Sequence, residues 1–362
     1  HSCKENAMTA YMETPFTSRP DLETTPRDTS GDLLSLPYEN YVNPTKTTTI
    51  YEDETPHAVH RKERIVMDSG AVYEVTSSIA KKRTIDVGII ATTAWLTHEL
   101  GLNRDRADRA TALGIDYTIV SPQQNLGRIG HFGRNVCNVL TINDYLNIRY
   151  DRDTDNIWED GISRGAMHGF GMIAKAPYIG DKKVIYSDNM VPCFPLGFSP
   201  SRDLSKLPEL AKNELSAMGS FVKLPLNAMF TYPRTIAVHP RMLFQQMKEI
   251  PALLSGETGE AAEHMPSDTC GYVTNFLGDI MGQGRRWEPI LAKYPYLIVD
   301  NVKGGGHLSI AAPRAQEKWQ RRLEGVHEVI ESSPAAVHLG GAAMLAAIQH
   351  VSDAFEPRPI AA

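Results

Sequence analysis

The segment NIWEDGISRGAMHGFGMIA, residues 156–174, joins two kinds of pattern in a short space. Asn156–Ile162 is a compact, largely apolar run of the kind buried inside a parallel sheet, and Ser163–Ala174 suits a helix. At the join, Gly161-Ile162-Ser163-Arg164-Gly165 matches G-x-S-x-G. A turn this sharp forces the serine into a strained backbone conformation, and glycines two before and two after it remove side chains that would strike the neighbouring strand and helix. The hydroxyl then stands above the sheet beside a helix N-terminus, whose backbone N–H groups and positive dipole end favour a developing oxyanion. His168 lies five positions on, off the serine's helical face, and reads as a packed or capping residue.

The flanking chain repeats this rhythm. Ile85–Thr92 and Tyr117–Val120 read as buried strands separated by a helix over Arg104–Leu113, and Lys183–Ser187 is a further strand. Upstream, Arg64–Met67 and Ala71–Thr76 flank the turn residues Asp68-Ser69-Gly70 as an antiparallel hairpin. Downstream the rhythm lapses between Phe194 and Lys248, read as an inserted helical cap over residues 195–248. It resumes with a strand at Ile250–Leu254, a helix over Arg285–Lys293 and a strand over Tyr296–Val302 that runs into Gly304-Gly305-Gly306-His307. Helices over Pro313–Ser332 and Val337–Asp353 close the chain, and no internal repeat is present. Thr9 to about His60, rich in Thr, Pro, Asp and Glu, reads as an extended arm that docks on its own domain or on a second subunit, and His1–Ala7 reads as a tag remnant.

Composition bounds the function. The 362 residues carry a net charge of -6 with basic residues scattered, so no positive stripe is offered to nucleic acid. At 42% hydrophobic and 22% charged the chain is of globular type, and no apolar window is long enough to cross a bilayer. Four well-separated cysteines (Cys3, Cys137, Cys193, Cys270) fit reduced thiols in a cytoplasmic protein. His57 and His60 lie without the H-E-x-x-H context of a zinc site, and neither a P-loop nor a dinucleotide fingerprint occurs, so no metal or cofactor is expected.

Taken with a histidine that follows a strand and a glycine run 144 positions after Ser163, these features resemble the α/β-hydrolase superfamily over about Arg64–Ser332. Also similar are the stretch from Ser121-Pro122 through Gly127–Asn135, near an R-G-H-G-like loop, and Ile250–Glu257, near the strand that precedes the triad acid. The resemblance implies a mostly parallel sheet flanked by helices, a core over 64–194 and 249–332 split by the cap, and a serine esterase or lipase-like hydrolase acting on a small ester or thioester. It implies Ser163 as nucleophile and His307 as general base. The acid is less direct, because glycine stands where the aspartate aligns in Gly256-Glu257-Thr258-Gly259-Glu260. Glu260 is the expected acid, with Glu257, Asp268 and Asp188 as alternatives. The oxyanion hole is expected from the N–H of Arg164 with that of Thr93 or Ala94, aided by a threonine hydroxyl, although Thr92-Thr93-Ala94-Trp95 lacks the usual glycine. An acyltransferase on the same fold, and a non-catalytic binding or structural module, are the alternatives.

Overall fold

A computed structural model describes residues 44–67, 70–93, 101–124, 131–179, 182–190, 257–279, 284–303 and 306–333, with positions 208 and 344. The strands are β1 (Pro44–Glu54), β2 (Ala58–Met67), β3 (Val72–Ala80), β4 (Ile89–Thr92), β5 (Tyr117–Gln124), β6 (Asn156–Ile162), β7 (Lys183–Met190), β8 (Gly271–Phe276) and β9 (Leu297–Val302). The helices are α1 (Gly101–Ala112), α2 (His131–Arg149), α3 (Arg164–Lys175), α4 (Glu257–Glu263), α5 (Gly284–Leu291) and α6 (Pro313–Ser332), with 3-10 turns at Ala176–Tyr178 and His307–Ala311. Among the described residues the strands form one sheet in the order β1-β2-β3-β5-β4-β6-β7-β8-β9. The pairs β1–β2, β2–β3 and β3–β5 are antiparallel, and every later pair is parallel.

The two faces are covered by different helices. On one, α2, α3, α4 and α5 bury Val136, Leu140, Phe170, Ala262 and Trp287; on the other, α1 and α6 bury Ala107, Ala110, Trp319, Leu323 and Val326. With cover on both sides, β4 and β6 are buried at every position, which is why their sequences read as continuous runs rather than alternating ones. From β4 the chain moves outward to β5, then crosses back so that β6 pairs with the other edge of β4. In a sheet of this kind such a reversal puts the usual place for a site at the carboxyl ends of the strands beside it, here β4 and β6.

The structure corrects one sequence expectation and adds two elements. The sheet begins at Pro44, inside the stretch expected to be an arm: β1 pairs along β2, but as an edge strand with Ile50 and Tyr51 largely exposed it has no need of an apolar face. Helix α2 was not foreseen, because four asparagines dilute its apolar stripe; the fold hydrogen-bonds three of them, with Tyr73 Oη donating to Asn135 Oδ1 (2.7 Å), Asn138 Nδ2 donating to Tyr73 Oη (2.8 Å) and Asn147 Nδ2 donating to the Asp153 carbonyl (2.9 Å). The strand beyond β7 is Gly271–Phe276. The expected strand at Ile250–Leu254 lies outside the described residues, as do residues 1–43, the cap over 195–248 apart from position 208, and the closing helix over Val337–Asp353 apart from Met344.

Under α1 and α6 the sheet carries charge. Asp160 and Asp188 pair in register on β6 and β7, and each takes an arginine from a covering helix. Arg106 Nη1 of α1 donates to Asp160, whose other oxygen accepts from the Tyr117 hydroxyl, and the guanidinium lies 4.5 Å from the Trp319 ring centroid. Arg322 of α6 donates to Asp188 (3.3 Å), Thr274 (2.9 Å) and Asp300 (3.3 Å). A buried ion pair adds little over an apolar pair, but losing one partner strands the other charge. Arg106→Leu is therefore expected to lower unfolding free energy by about 3–5 kcal/mol in urea melts. A loss under about 1 kcal/mol would show that Asp160 finds another donor.

Candidate active site

The serine sits at the corner between β6 and α3 with φ 57° and ψ -117°; among the described residues only Asp151 is another non-glycine residue of positive φ. Such a conformation costs on the order of 1–3 kcal/mol, which the surroundings must offset. The Ser163 N–H donates to the Met190 carbonyl at the end of β7 (2.9 Å), and the Ala166 N–H donates back to the Ser163 carbonyl (3.1 Å). The flanking glycines are a matter of space. A Cβ on Gly165 would lie 2.5 Å from the Thr92 carbonyl oxygen, and one on Gly161 would meet the Asn189 side chain and the Cα of Ala166 at 2.5 Å. No real Cβ tolerates such distances, so helix and strands approach this closely only with glycine at both positions.

Two distant loops converge on the corner. Ser163 Oγ lies 2.7 Å from His307 Nε2, and His307 Nδ1 lies 2.7 Å from Asp279 Oδ2. An ionised Asp279 fixes the neutral ring with its proton on Nδ1, leaving Nε2 to accept from the serine hydroxyl. The Asp279 side chain is wholly buried and that of His307 is 12% exposed, so the imidazole keeps some access to solvent while the carboxyl is sealed behind it. Asp279 follows β8 by a turn in which its N–H donates to the Phe276 carbonyl (2.9 Å). His307 opens a 3-10 turn after β9, steadied where the Gly306 N–H donates to Ser309 Oγ (3.1 Å).

The geometry brings together Ser163 and His307 and puts Asp279, not the expected Glu260, on the imidazole. Glu260 is exposed on α4, where its carbonyl accepts from the His264 ring. Asp188 belongs to the buried ion pair with Arg322; burial pushes its carboxyl up to about 6, against the pull of Arg322. Asp268 is exposed in the turn before β8, and the Glu257 side chain lies outside the described residues. His168 is buried edge-on to Phe132, with ring centroids 5.3 Å apart.

The residues expected at the oxyanion hole lie as follows. Arg164 is the first residue of α3, and its guanidinium reaches the Thr93 carbonyl (3.0 Å). The N–H of Thr93 donates to the Val120 carbonyl of β5 (3.1 Å), so it extends the sheet and does not face a substrate. Thr93 Oγ1 donates to Ser121 Oγ (3.5 Å) and Thr92 Oγ1 to the Gly165 carbonyl (3.4 Å), while Ala94 and Trp95 lie outside the described residues. Burial raises the thiols of Cys137 and Cys270, to about 11 and about 12, so neither is a nucleophile at neutral pH. No described helix is long and apolar enough to cross a membrane.

Among solved structures the chain is similar to an esterase from Exiguobacterium antarcticum, with a TM-score of 0.51 at 11% identity over 73% of this chain and 98% of that one. It is also similar to acetyl xylan esterase 1 from a Thermoanaerobacterium strain (0.47, 13% identity, 79% and 90%) and to a bromoperoxidase from Bacillus anthracis (0.48, 10%, 69% and 94%). No protein-family model and no curated protein matches it. The likeness is one of architecture, and the chain has the α/β-hydrolase fold.

Proposed function

We propose that this protein is a serine hydrolase that cleaves a carboxylic ester or thioester of a small molecule through an acyl-serine intermediate. A fold of this kind hosts many chemistries, so the residues carry the reading and the esterases of similar architecture do not. The observation that supports it most is the run of two 2.7 Å contacts from Ser163 through His307 to Asp279, ending on a strained corner. In this reading His307 Nε2 takes the hydroxyl proton as Ser163 Oγ attacks the acyl carbon, and Asp279 stabilises the imidazolium that forms. His307 then returns the proton to the departing alcohol or thiol. Water, deprotonated by the same nitrogen, attacks the acyl-serine and frees the acid. The N–H of Arg164, at the positive end of α3, supplies a donor to the oxyanion. A wholly buried carboxyl on the imidazole supports a catalytic reading over a non-catalytic module.

A fluorophosphonate probe tests this, since it reacts only with an activated hydroxyl. One adduct per chain is expected, on the tryptic peptide that contains Ser163, together with a burst of about one equivalent of alcohol from a chromogenic ester. An unlabelled Ser163 at neutral pH, with the fold intact by circular dichroism, would remove the proposal.

A further inference from the structure

Beneath α3, on the face of the sheet away from the arginine pairs, lies a second buried polar group. Glu159 and Gly161 of β6 stand in register with Ser187 and Asn189 of β7, and all four are buried. Asn189 Nδ2 spends both hydrogens, donating to Glu159 Oε2 (2.8 Å) and to Ser187 Oγ (2.7 Å). Two acceptor oxygens remain, Glu159 Oε1 and Asn189 Oδ1, each buried with no hydrogen-bond partner among the described residues. Both converge on Gly169 of α3, where a Cβ would strike the Glu159 carboxyl and lie 2.7 Å from Asn189 Oδ1. Two buried acceptors side by side lack one donor, and a carboxylic acid in place of a carboxylate would supply it. The same Asn189 oxygen is what a Cβ on Gly161 would meet, and the next residue, Met190, holds the Ser163 N–H, so this cluster is the floor on which the serine corner stands.

We propose that Glu159 is a positioning residue for Ser163 and acts as a neutral acid, its carboxyl hydrogen donated to the side-chain oxygen of Asn189. The inference rests on Ser163 being the nucleophile. Electrostatics agree with the geometry. Burial holds the Glu159 carboxyl well above the usual carboxylate range, and the charges that act on it, Asp160 of β6 and Asp188 of β7, repel a further negative charge. Asn189 and Ser187 alone favour ionisation. Among the described residues, α3 brings Gly169 against it, β4 brings Ile90 in register, and His168 packs edge-on to Phe132. Loss of the proton would set a buried carboxylate against the Asn189 oxygen beneath Gly169.

The test compares wild type with Glu159→Gln, whose amide donates as the acid does, and Glu159→Leu, which has no donor. Fluorophosphonate labelling of Ser163 is followed from pH 6 to 10, and melting temperature is followed over the same range in a Ser163→Ala background. Glu159→Gln is expected to label within about threefold of wild type at pH 7 and to keep its rate where wild type declines on the alkaline side, while Glu159→Leu labels at least about tenfold more slowly. The sign of the melting series is fixed by linkage. A carboxyl raised in the folded state stabilises fully below the unfolded value of about 4.3, and that contribution is lost as pH rises toward the folded value. The melting temperature of Glu159→Gln must therefore gain on that of the parent as pH rises. A tenfold loss in Glu159→Gln at pH 7, labelling of Glu159→Leu as fast as wild type, or a melting gap that does not grow with pH overturns the inference. Wild type that never labels defeats the nucleophile reading instead, and the melting series, which needs no reactive serine, still decides whether Glu159 is neutral.

Discussion

Ser163→Ala and His307→Ala, made singly and together, are each expected to lower ester turnover by on the order of a millionfold, the double variant no more than either single one. The reason is the 2.7 Å contact between Ser163 Oγ and His307 Nε2. A serine hydroxyl at its ordinary acidity is a poor nucleophile, and the imidazole has no proton to take once the hydroxyl is gone, so removing either partner removes the same step. At about 1.36 kcal/mol per decade a millionfold loss is about 8 kcal/mol of transition-state stabilisation. The activity left, about a thousandfold or more over water, would belong to the oxyanion donors and to binding, which neither change touches. Steady-state kinetics on one chromogenic ester checks this, with melting temperature as the control for folding. Independent, multiplying losses would mean that the two side chains do not act as a unit.

The corner was legible because its evidence is local. A buried run, a glycine-spaced serine and a helix-compatible stretch sit within residues 156–174, and steric exclusion at Gly161 and Gly165 leaves few alternatives for such a pentapeptide between strand and helix. His307 was legible for a related reason: a strand and a glycine run announce a loop at the carboxyl edge of a sheet. The acid was not. Gly271–Phe276, GYVTNF, is a short strand with β-forming Tyr272, Val273, Thr274 and Phe276, followed closely by Leu277-Gly278-Asp279. That is a strand, a glycine and an aspartate, a usable signal, but the apolar run at 250–254 competed with it, and periodicity cannot tell a short buried strand from another apolar stretch. Edge strand β1 and the asparagine-rich α2 were missed because their stability comes from pairing and tertiary hydrogen bonds, which composition does not display. The Glu159 cluster shows the same limit from the other side, since a glutamate in a strand-like run discloses neither its burial nor its partners.

Asp279→Asn is expected to reduce turnover by about 10⁴-fold with little change in KM, while Glu260→Gln and Asp188→Asn leave it within a few-fold of wild type. The contrast follows from where the three carboxyls sit. Asp279 Oδ2 is 2.7 Å from His307 Nδ1, whereas Glu260 is exposed on α4 and Asp188 is engaged with Arg322 on the far face of the sheet. An amide at position 279 can turn its NH₂ toward the ring, which then keeps its hydrogen on Nε2, so the nitrogen facing Ser163 becomes a donor and cannot take the hydroxyl proton. Part of the loss should return as pH rises, when hydroxide or a deprotonated serine bypasses the base, and that recovery separates a tautomer effect from a collapsed site. Asp188→Asn should instead register in stability, because Arg322 then keeps one carboxylate, Asp300, where it had two. If Glu260→Gln abolished turnover and Asp279→Asn spared it, the contact between Asp279 and His307 would have no part in the chemistry, and Glu260 would be the acid after all.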